Sequence, residues 1–265
     1  RIAQKKGAII IMERGSKHIL EQKKILEKNP HKKNEAIPNR NIKCNLKAYQ
    51  FANFISVASQ HVKESFLLHQ YPENRIFVNP YGVDLSMFKP LPNIPKKYDV
   101  IMVGGWGYEK GCDLIVEAIR KTNYSFIHVG SIKDVDFPQE KNFTHIDPVD
   151  QSKLIEYYNQ AKVFILPSRQ DGFGMVLSQA LACNLPIIGS NNCGAPDLKK
   201  MVELPEYITI IKDYTADAIV TAIHTAIKNY EQLGERIYAG NAIENLTWEA
   251  YGKRYANFLH KIIKQ

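Results

Sequence analysis

The sequence lacks the features of several protein classes. No apolar run approaches the roughly 20 residues that a membrane span needs, and the best apolar stretches, residues 8–12 and 163–166, have the length of strands. The four cysteines form no Cys-x-x-Cys pair and no zinc-type cluster with histidine. These absences argue against a membrane-spanning protein, a disulfide scaffold and a zinc domain. They predict free thiols, with Cys44 and the others structural, in a reducing compartment.

The composition is otherwise that of a folded globular protein. The 265 residues are 45% hydrophobic and 23% charged, which excludes a disordered, collagenous or coiled-coil chain as a whole. This length is enough for one large or two small domains with a proper core. The chain begins at Arg1 without a signal-peptide pattern, and we expect a fragment or trimmed chain in a cytoplasmic location.

The positive charge is concentrated at one end. The net charge is +8, and residues 1–50 hold 13 basic and 4 acidic side chains, so the other 215 residues sum to −1. Such a segment is either a solvated basic face or a surface for phosphate, anionic lipid or nucleic acid. No nucleic-acid recognition motif accompanies it. We expect an anionic acceptor or peripheral contact with an anionic membrane, and no nucleic acid.

Hydrophobic patterning divides the chain near residue 92, where residues 91–97 have the composition of a linker. Residues 29–45, polar and rich in asparagine, are expected to form a loop or a frayed helix. Before the linker, strands are predicted at 8–12, 54–58 and 75–79, and helices at 17–28, 46–53 and 61–69.

After the linker, strands and helices alternate. Strands are predicted at 99–103, 125–129, 143–146, 163–166, 186–189 and 208–211, and helices at 112–121, 152–160, 175–183, 215–230 and 231–244. This alternation predicts βαβ units and a doubly wound parallel sheet. Ligands bind such sheets beyond the carboxyl ends of the strands, where the glycine-rich loops of this sequence fall.

Residues 103–111 (VGGWGYEKG) run from a strand through a loop with four glycines into a helix. Glycine lets backbone amides approach an anion closely, and Lys110 adds a charge suited to a diphosphate. The loop matches neither the dinucleotide fingerprint nor a Walker A loop. In isolation the signal is weak, and a tight turn with a surface lysine explains the loop somewhat better.

A second strand-end loop, residues 166–180 (LPSRQDGFGMVLSQA), places Asp171 eight residues before Gln179. The amides of Gly172, Phe173 and Gly174 are available to sugar or phosphate oxygens, and a carboxylate beside them can bind sugar hydroxyls. Alternatively, Asp171 caps the following helix. A third loop, residues 190–198, fits a binding loop and a plain connection equally well.

The order of these motifs resembles the retaining GT-B glycosyltransferases, especially glycosyltransferase family 4. The resemblance covers residues 50–258 and rests on NPYGVD at 79–84, FKP at 88–90, the two glycine loops, ALACNLPII at 180–188 and TWE at 247–249. It implies an α/β fold with a partial N-terminal, acceptor-side domain (1–91), a C-terminal nucleotide-sugar domain (92–245) and a terminal helix (246–265) that returns to the first domain. About a hundred residues of the first domain would be missing.

The resemblance also implies roles for individual residues. Asp171 and Lys110 would be catalytic, holding the donor sugar and its diphosphate, and Arg14 would lie on the acceptor side. Asp171 and Gln179 replace the usual glutamates, and Gly105 replaces the usual arginine. Arg169 and Arg14 are the candidates to substitute for that arginine. The donor-binding residues would be Gly104, Gly105, Ser131, Val149, Arg169, Gly172, Phe173, Gly174, Met175, Val176 and Gln179.

Residues 13–18 follow a predicted strand and either line the cleft or form a polar turn, with His18 expected at the surface.

The implied reaction transfers a sugar, with retention, from a UDP- or GDP-linked donor to a glycan or lipid-linked acceptor, without a metal or other cofactor. Residues 105, 171 and 179 depart from the family pattern and leave a second hypothesis open, in which the chain is a catalytically weak or inactive nucleotide-sugar-binding module. A nucleotide-dependent oxidoreductase fits less well, because neither glycine loop matches the dinucleotide fingerprint.

Overall fold

The computed structural model describes residues 2–31, 37–202, 205–233 and 244–264. Its first sheet has three parallel strands in the order β1-β2-β3, formed by β1 (Ile11–Arg14), β2 (Phe54–Val57) and β3 (Ile76–Val78). Its helices are α1 (Ile2–Lys5), α2 (Ile19–Leu26), α3 (Asn39–Phe51) and α4 (Gln60–Leu67). We call these elements the first unit.

The second sheet has six parallel strands in the order β6-β5-β4-β7-β8-β9. The strands are β4 (Tyr98–Val103), β5 (Phe126–Val129), β6 (Phe143–Ile146), β7 (Ala161–Leu166), β8 (Ile187–Ser190) and β9 (Ile208–Ile211). Its helices are α5 (Cys112–Arg120), α6 (Leu154–Asn159), α7 (Met175–Ala182), α8 (Ala195–Met201) and α9 (Ala216–Leu233). We call these elements the second unit, and they confirm the predicted doubly wound parallel sheet.

The two units have separate hydrophobic cores. In the second unit, adjacent residues Val100, Ile101 and Met102 of β4 are all fully buried. Because neighbouring side chains point to opposite faces of a strand, helices must cover both faces of this sheet. Each such side chain contributes about 1.5–3 kcal/mol by leaving water, which explains why continuous apolar runs in the sequence become its strands.

The last helix, α10 (Trp248–Ile263), packs against the first unit. The ring of Phe258 stacks on that of Phe77 with centroids 4.1 Å apart, and Arg254 Nε donates to Asn79 Oδ1 at 2.7 Å. The chain therefore returns to the first unit. The domain limits at residues 91 and 245 remain predictions.

The predictions for the first unit differ from the structure at their limits. The first strand begins at Ile11 rather than at residue 8, because pairing with β2 starts at Ile11 and Phe54. The segment at 29–45, predicted as a loop or a frayed helix, contains the start of α3, so the helix predicted at 46–53 begins earlier, at Asn39. Residues 32–36 of that segment lie outside the described residues. Burial of Ile42 and Tyr49 on one face of α3 outweighs its weak helix propensity.

The late helices also differ from expectation. The helix predicted at 215–230 continues to Leu233, so residues 231–233 do not start a separate helix. Residues 234–243 of the second predicted helix lie outside the described residues. The strands predicted at 143–146 and 208–211 have the bounds observed, and the others of the second sheet shift by one or two residues.

Candidate functional site

A cleft of about 390 Å³ opens at the carboxyl ends of β4 and β7. These strands are neighbours, and the chain leaves them in opposite directions, β4 toward β5 and β7 toward β8. Divergent loops at such a switch point leave a crevice in which ligands bind. Of the predicted site residues, those that line it are Gly104, Gly105, Lys110, Asp171, Phe173, Gly174, Met175, Val176 and Gln179.

The loops after β4 and β7 meet through an ion pair. Lys110 Nζ lies 2.6 Å from Asp171 Oδ2, and the two side chains are only 21% and 16% exposed. Burial acts to lower the pKa of Lys110, but the charges of Asp171 and Glu109 and the hydrogen bond to Asp171 raise it overall. Lys110 is therefore a permanent cation at the cleft.

Asp171 does not cap the following helix. α7 begins at Met175 with Gly174 at its N-cap, and Asp171 lies before that cap. Its Oδ1 accepts a long, 3.4 Å bond from the Phe173 amide while Oδ2 faces Lys110. The capping interpretation is wrong because Gly174 adopts a left-handed conformation, with φ of 80°, between the carboxylate and the helix.

The first unit holds the backbone of the Asp171 loop. His61 Nε2 donates to the Asp171 carbonyl at 2.6 Å, and Ser59 Oγ donates to the Gly172 carbonyl at 2.5 Å. A side chain at Gly172 would overlap the Gly15 carbonyl, so the close approach requires glycine there. Burial lowers the pKa of His61 to about 4, so His61 is neutral at pH 7 and carries its proton on Nε2.

The third predicted loop also belongs to this junction. The Asp171 amide donates to the Asn192 carbonyl at 2.8 Å, and Lys17 Nζ donates to Asn192 Oδ1 at 2.6 Å. Asp197 Oδ1 accepts from the Gln60 amide at the start of α4, at 3.0 Å. The loop therefore connects the two units beside the cleft.

Gln179 is buried between the cleft and a second cavity of about 310 Å³. Tyr158 is fully buried and its hydroxyl donates to Gln179 Oε1 at 2.9 Å. With that oxygen engaged, the Gln179 amide nitrogen is the group left to donate to a ligand oxygen. The lining of the second cavity consists of Gly82, Val83, Asp84, Met87, Phe88, Gln151, Met175, Gln179 and Trp248.

Two predicted cations are engaged elsewhere. Arg169 forms a two-bond pair with Asp113, at 2.6 and 2.7 Å, and its guanidinium lies 3.8 Å from the centre of the Tyr108 ring. Arg14 donates to Gln22 Oε1 at 2.8 Å and to the Lys17 carbonyl. Among the described residues, neither of these two arginines lines the cleft.

Three further predicted residues do not line the cleft. The Ser131 carbonyl accepts from the Trp106 amide at 2.8 Å, Val149 packs against the large core, and Gly172 is buried at the junction.

His18 is not the surface residue expected from the sequence. It is 5% exposed, and its ring stacks on His69 with centroids 4.0 Å apart. Burial, aided by the charges of His69 and Arg14, lowers its pKa to about 4. Of residues 13–18, Gly15 lines the cleft.

Sequence reasoning missed His61, Ser59 and Tyr81. His61 and Ser59 bind carbonyl groups more than a hundred residues away, and carbonyl recognition leaves no residue pattern. Tyr81 lines the cleft. It lies within the NPYGVD motif, which was the sequence feature that could have identified it as a site residue.

Across the described ranges, no three or more histidine, cysteine, aspartate or glutamate side chains are grouped as metal ligands. The helices described there are too short or too polar to cross a bilayer. All four cysteines are free thiols, three of them buried.

Residues 86–242, more than half of the chain, match the family described as glycosyl transferases group 1. A probable sucrose-phosphate synthase of Thermosipho melanesiensis is 26% identical over 242 residues, covering 81% of this chain and 56% of that protein. A GDP-mannose-dependent phosphatidylinositol monomannoside mannosyltransferase of Mycolicibacterium smegmatis is 23% identical, covering 78% of this chain and 62% of that protein. The chain thus spans somewhat more than half the length of these relatives.

Solved structures share the fold. Anabaena HepE, in complex with UDP and glucose, superposes with a TM-score of 0.73 at 14% identity, covering 97% of this chain and 73% of that one. The sucrose-phosphate synthase of Thermosynechococcus elongatus superposes with a TM-score of 0.69 at 19% identity, covering 96% and 68%. The architecture is that of GT-B glycosyltransferases, and on the match over residues 86–242 the chain belongs to the glycosyl transferases group 1 family.

Proposed function

We propose that this chain binds a nucleoside-diphosphate sugar in the cleft and transfers the sugar, with retention, to an acceptor hydroxyl, as a family 4 enzyme. The observation that carries the proposal is the pairing of Lys110 with Asp171 at the switch point of the second sheet. A cation suited to a diphosphate and a carboxylate suited to sugar hydroxyls meet where such sheets bind ligands.

In the proposed reaction, the bond between the anomeric carbon and the diphosphate oxygen breaks and its electron pair leaves with the diphosphate. Lys110 and the backbone amides of residues 104–111 stabilise the charge that develops there. Asp171 holds the sugar hydroxyls. The acceptor oxygen attacks the face that the diphosphate leaves, and its proton passes to a departing phosphate oxygen, so the anomeric configuration is kept.

We assign the nucleoside to the second cavity, which adjoins the cleft through Met175 and Gln179. There the Gln179 amide would donate to a ribose or base oxygen. Structurally similar proteins solved in complex with UDP support a UDP-linked donor. The GDP-mannose-dependent relative supports a GDP-linked donor as the alternative. Lys110 supplies the positive charge in this scheme, so we expect turnover to survive EDTA.

For the acceptor we propose a glycan or a lipid-linked molecule. The supporting observation is the excess of basic side chains among residues 1–50, which would attract an anionic acceptor or membrane surface, at about 1 kcal/mol per residue near the lipid. Binding to vesicles should then fall with added salt and require anionic lipid. Vesicle binding that depends on neither the salt concentration nor the anionic lipid content would contradict this part of the proposal.

The test is a panel of UDP and GDP sugars assayed for hydrolysis and transfer by the purified protein, together with calorimetric binding of free UDP and GDP. Turnover in EDTA, with a product whose anomeric configuration by NMR matches the donor, is the expected result. Nucleotide binding without turnover would instead favour the inactive binding module. No binding of either nucleotide would overturn the proposal.

A further inference from the structure

The side chain of Lys133 lies across Gly105 at the cleft. A β-carbon placed on Gly105 would overlap the end of this side chain, with Lys133 Nζ 2.9 Å away. Gly105 itself lines the cleft beside Lys110. The Lys133 ammonium group therefore occupies the space that the missing side chain of residue 105 leaves.

The backbone around Lys133 is fixed to the loop after β4. The Lys133 amide donates to the Trp106 carbonyl at 2.9 Å, and the Trp106 amide donates to the Ser131 carbonyl at 2.8 Å. Trp106 and Ile132 form a parallel bridge there, and Trp106 is fully buried. The position of Lys133 thus follows from two adjacent strand ends, although its side chain is exposed.

The positive charge of Lys110 is balanced by neighbouring carboxylates at the cleft. Lys110 pairs with Asp171 at 2.6 Å, and Glu109 lies close enough to interact with both Lys110 and Lys133. Arg169 and Arg14 are engaged with other groups. Within the described part of the chain, Lys133 forms no ion pair, so its charge is available to an anion.

We propose that Lys133 is the second cation of the diphosphate site and that Gly105 is the residue that admits it. The proposal rests on the proposed function, because it assigns a residue to the same nucleoside-diphosphate ligand. Lys110 alone, already paired with a carboxylate, would meet a diphosphate with little net positive charge. An ammonium group with three donors across Gly105 supplies the missing charge.

The experiment compares Lys133→Met with Lys141→Met. Lys141 is also exposed but precedes β6, at the opposite end of the sheet from the cleft. Calorimetry at fixed ionic strength measures the affinity of each variant for UDP, GDP and the matching nucleoside monophosphates. We expect Lys133→Met to weaken diphosphate binding about tenfold and monophosphate binding much less, and Lys141→Met to change neither.

A second variant tests the role of Gly105. Gly105→Ala keeps every charge but displaces the flexible end of Lys133, so it should weaken diphosphate binding in the wild-type background and add no further loss to Lys133→Met. Unchanged diphosphate affinity in folded Lys133→Met, or additive losses in the double variant, would overturn the inference while leaving the proposed function intact. Failure of the wild-type protein to bind any nucleoside diphosphate would overturn both.

Discussion

The two units contribute different things to the same cleft. The second unit supplies the charged side chains, Lys110 and Asp171, from loops at the ends of β4 and β7. The first unit supplies His61 and Ser59, which donate hydrogen bonds to carbonyl groups of the Asp171 loop. One sheet therefore carries the chemistry, and the other fixes the shape of the loop that carries it.

Both cores bury histidine. The second unit buries His128 of β5 in a core with aliphatic side chains such as Val163 and Ile165, with its ring centroid 5.0 Å from that of Trp106. The first unit buries His18 among aromatic rings, with Tyr49 and Phe66 at 4.9 and 5.1 Å between centroids. The stability of each core is therefore sensitive to pH.

The largest effect should come from the charged pair in the second unit. We expect Lys110→Ala to weaken UDP or GDP binding about 100-fold, because it removes a cation and leaves Asp171 without its partner, a loss of roughly 3 kcal/mol. Calorimetry measures it, with Lys141→Ala as the control at the far end of the sheet. If Lys110→Ala kept the affinity of the control, the charged loops would not be the binding element.

A smaller loss should follow from breaking the support that the first unit gives. His61→Ala removes the donor to the Asp171 carbonyl, and one such bond contributes about 0.5–1.5 kcal/mol. We expect about a tenfold lower kcat/KM for sugar transfer with a nucleotide affinity within a few-fold of wild type. His224→Ala, an exposed histidine on α9, is the control. Equal rates for the two variants would show that the first unit does not shape the loop.

Acid should destabilise the protein through its buried histidines. Burial lowers the pKa of His18, His61 and His128 to about 4, against about 6.5 in an unfolded chain. Between these values the unfolded chain binds more protons than the folded one, so the free energy of unfolding falls as pH falls. We expect a Tm several degrees lower at pH 5 than at pH 7, measured by calorimetry. His18→Phe should flatten this slope, and a Tm independent of pH would contradict the assignment.

The smallest effect concerns Asp197 at the junction of the units. Burial raises the pKa of Asp197 to about 6, so this carboxyl group opposes the histidines: its contribution to stability falls as pH rises from about 4 to 6. Asp197→Asn keeps an oxygen for the Gln60 amide and removes the charge. We expect its Tm to exceed that of wild type by about 2–4 °C at pH 7 and to match it at pH 4. A lower Tm at pH 7 would show that the charge stabilises α4.

The second unit was more predictable than the first, for physical reasons. Its central strands are buried on both faces, so apolar runs such as residues 100–103 and 163–166 mark them directly. The helix predicted at 46–53 starts too late, because the first turns of α3 depend on packing of Ile42 and Tyr49 rather than on local propensity. In the site, Lys110 and Asp171 follow from strand-end loops, whereas the positions of His61 and Lys133 depend on contacts between loops that only the folded chain brings together.

The two tryptophans give this protein distinct optical reporters. Trp106 is fully buried behind the loop after β4, whereas Trp248 is 47% exposed and lines the second cavity. Their emission should differ in wavelength and in quenching by acrylamide, since only Trp248 meets solvent. A ligand that fills the second cavity should change the Trp248 component alone, and unfolding of the second unit should shift the Trp106 component to the red. Intrinsic fluorescence can therefore separate nucleotide binding from loss of structure without a label.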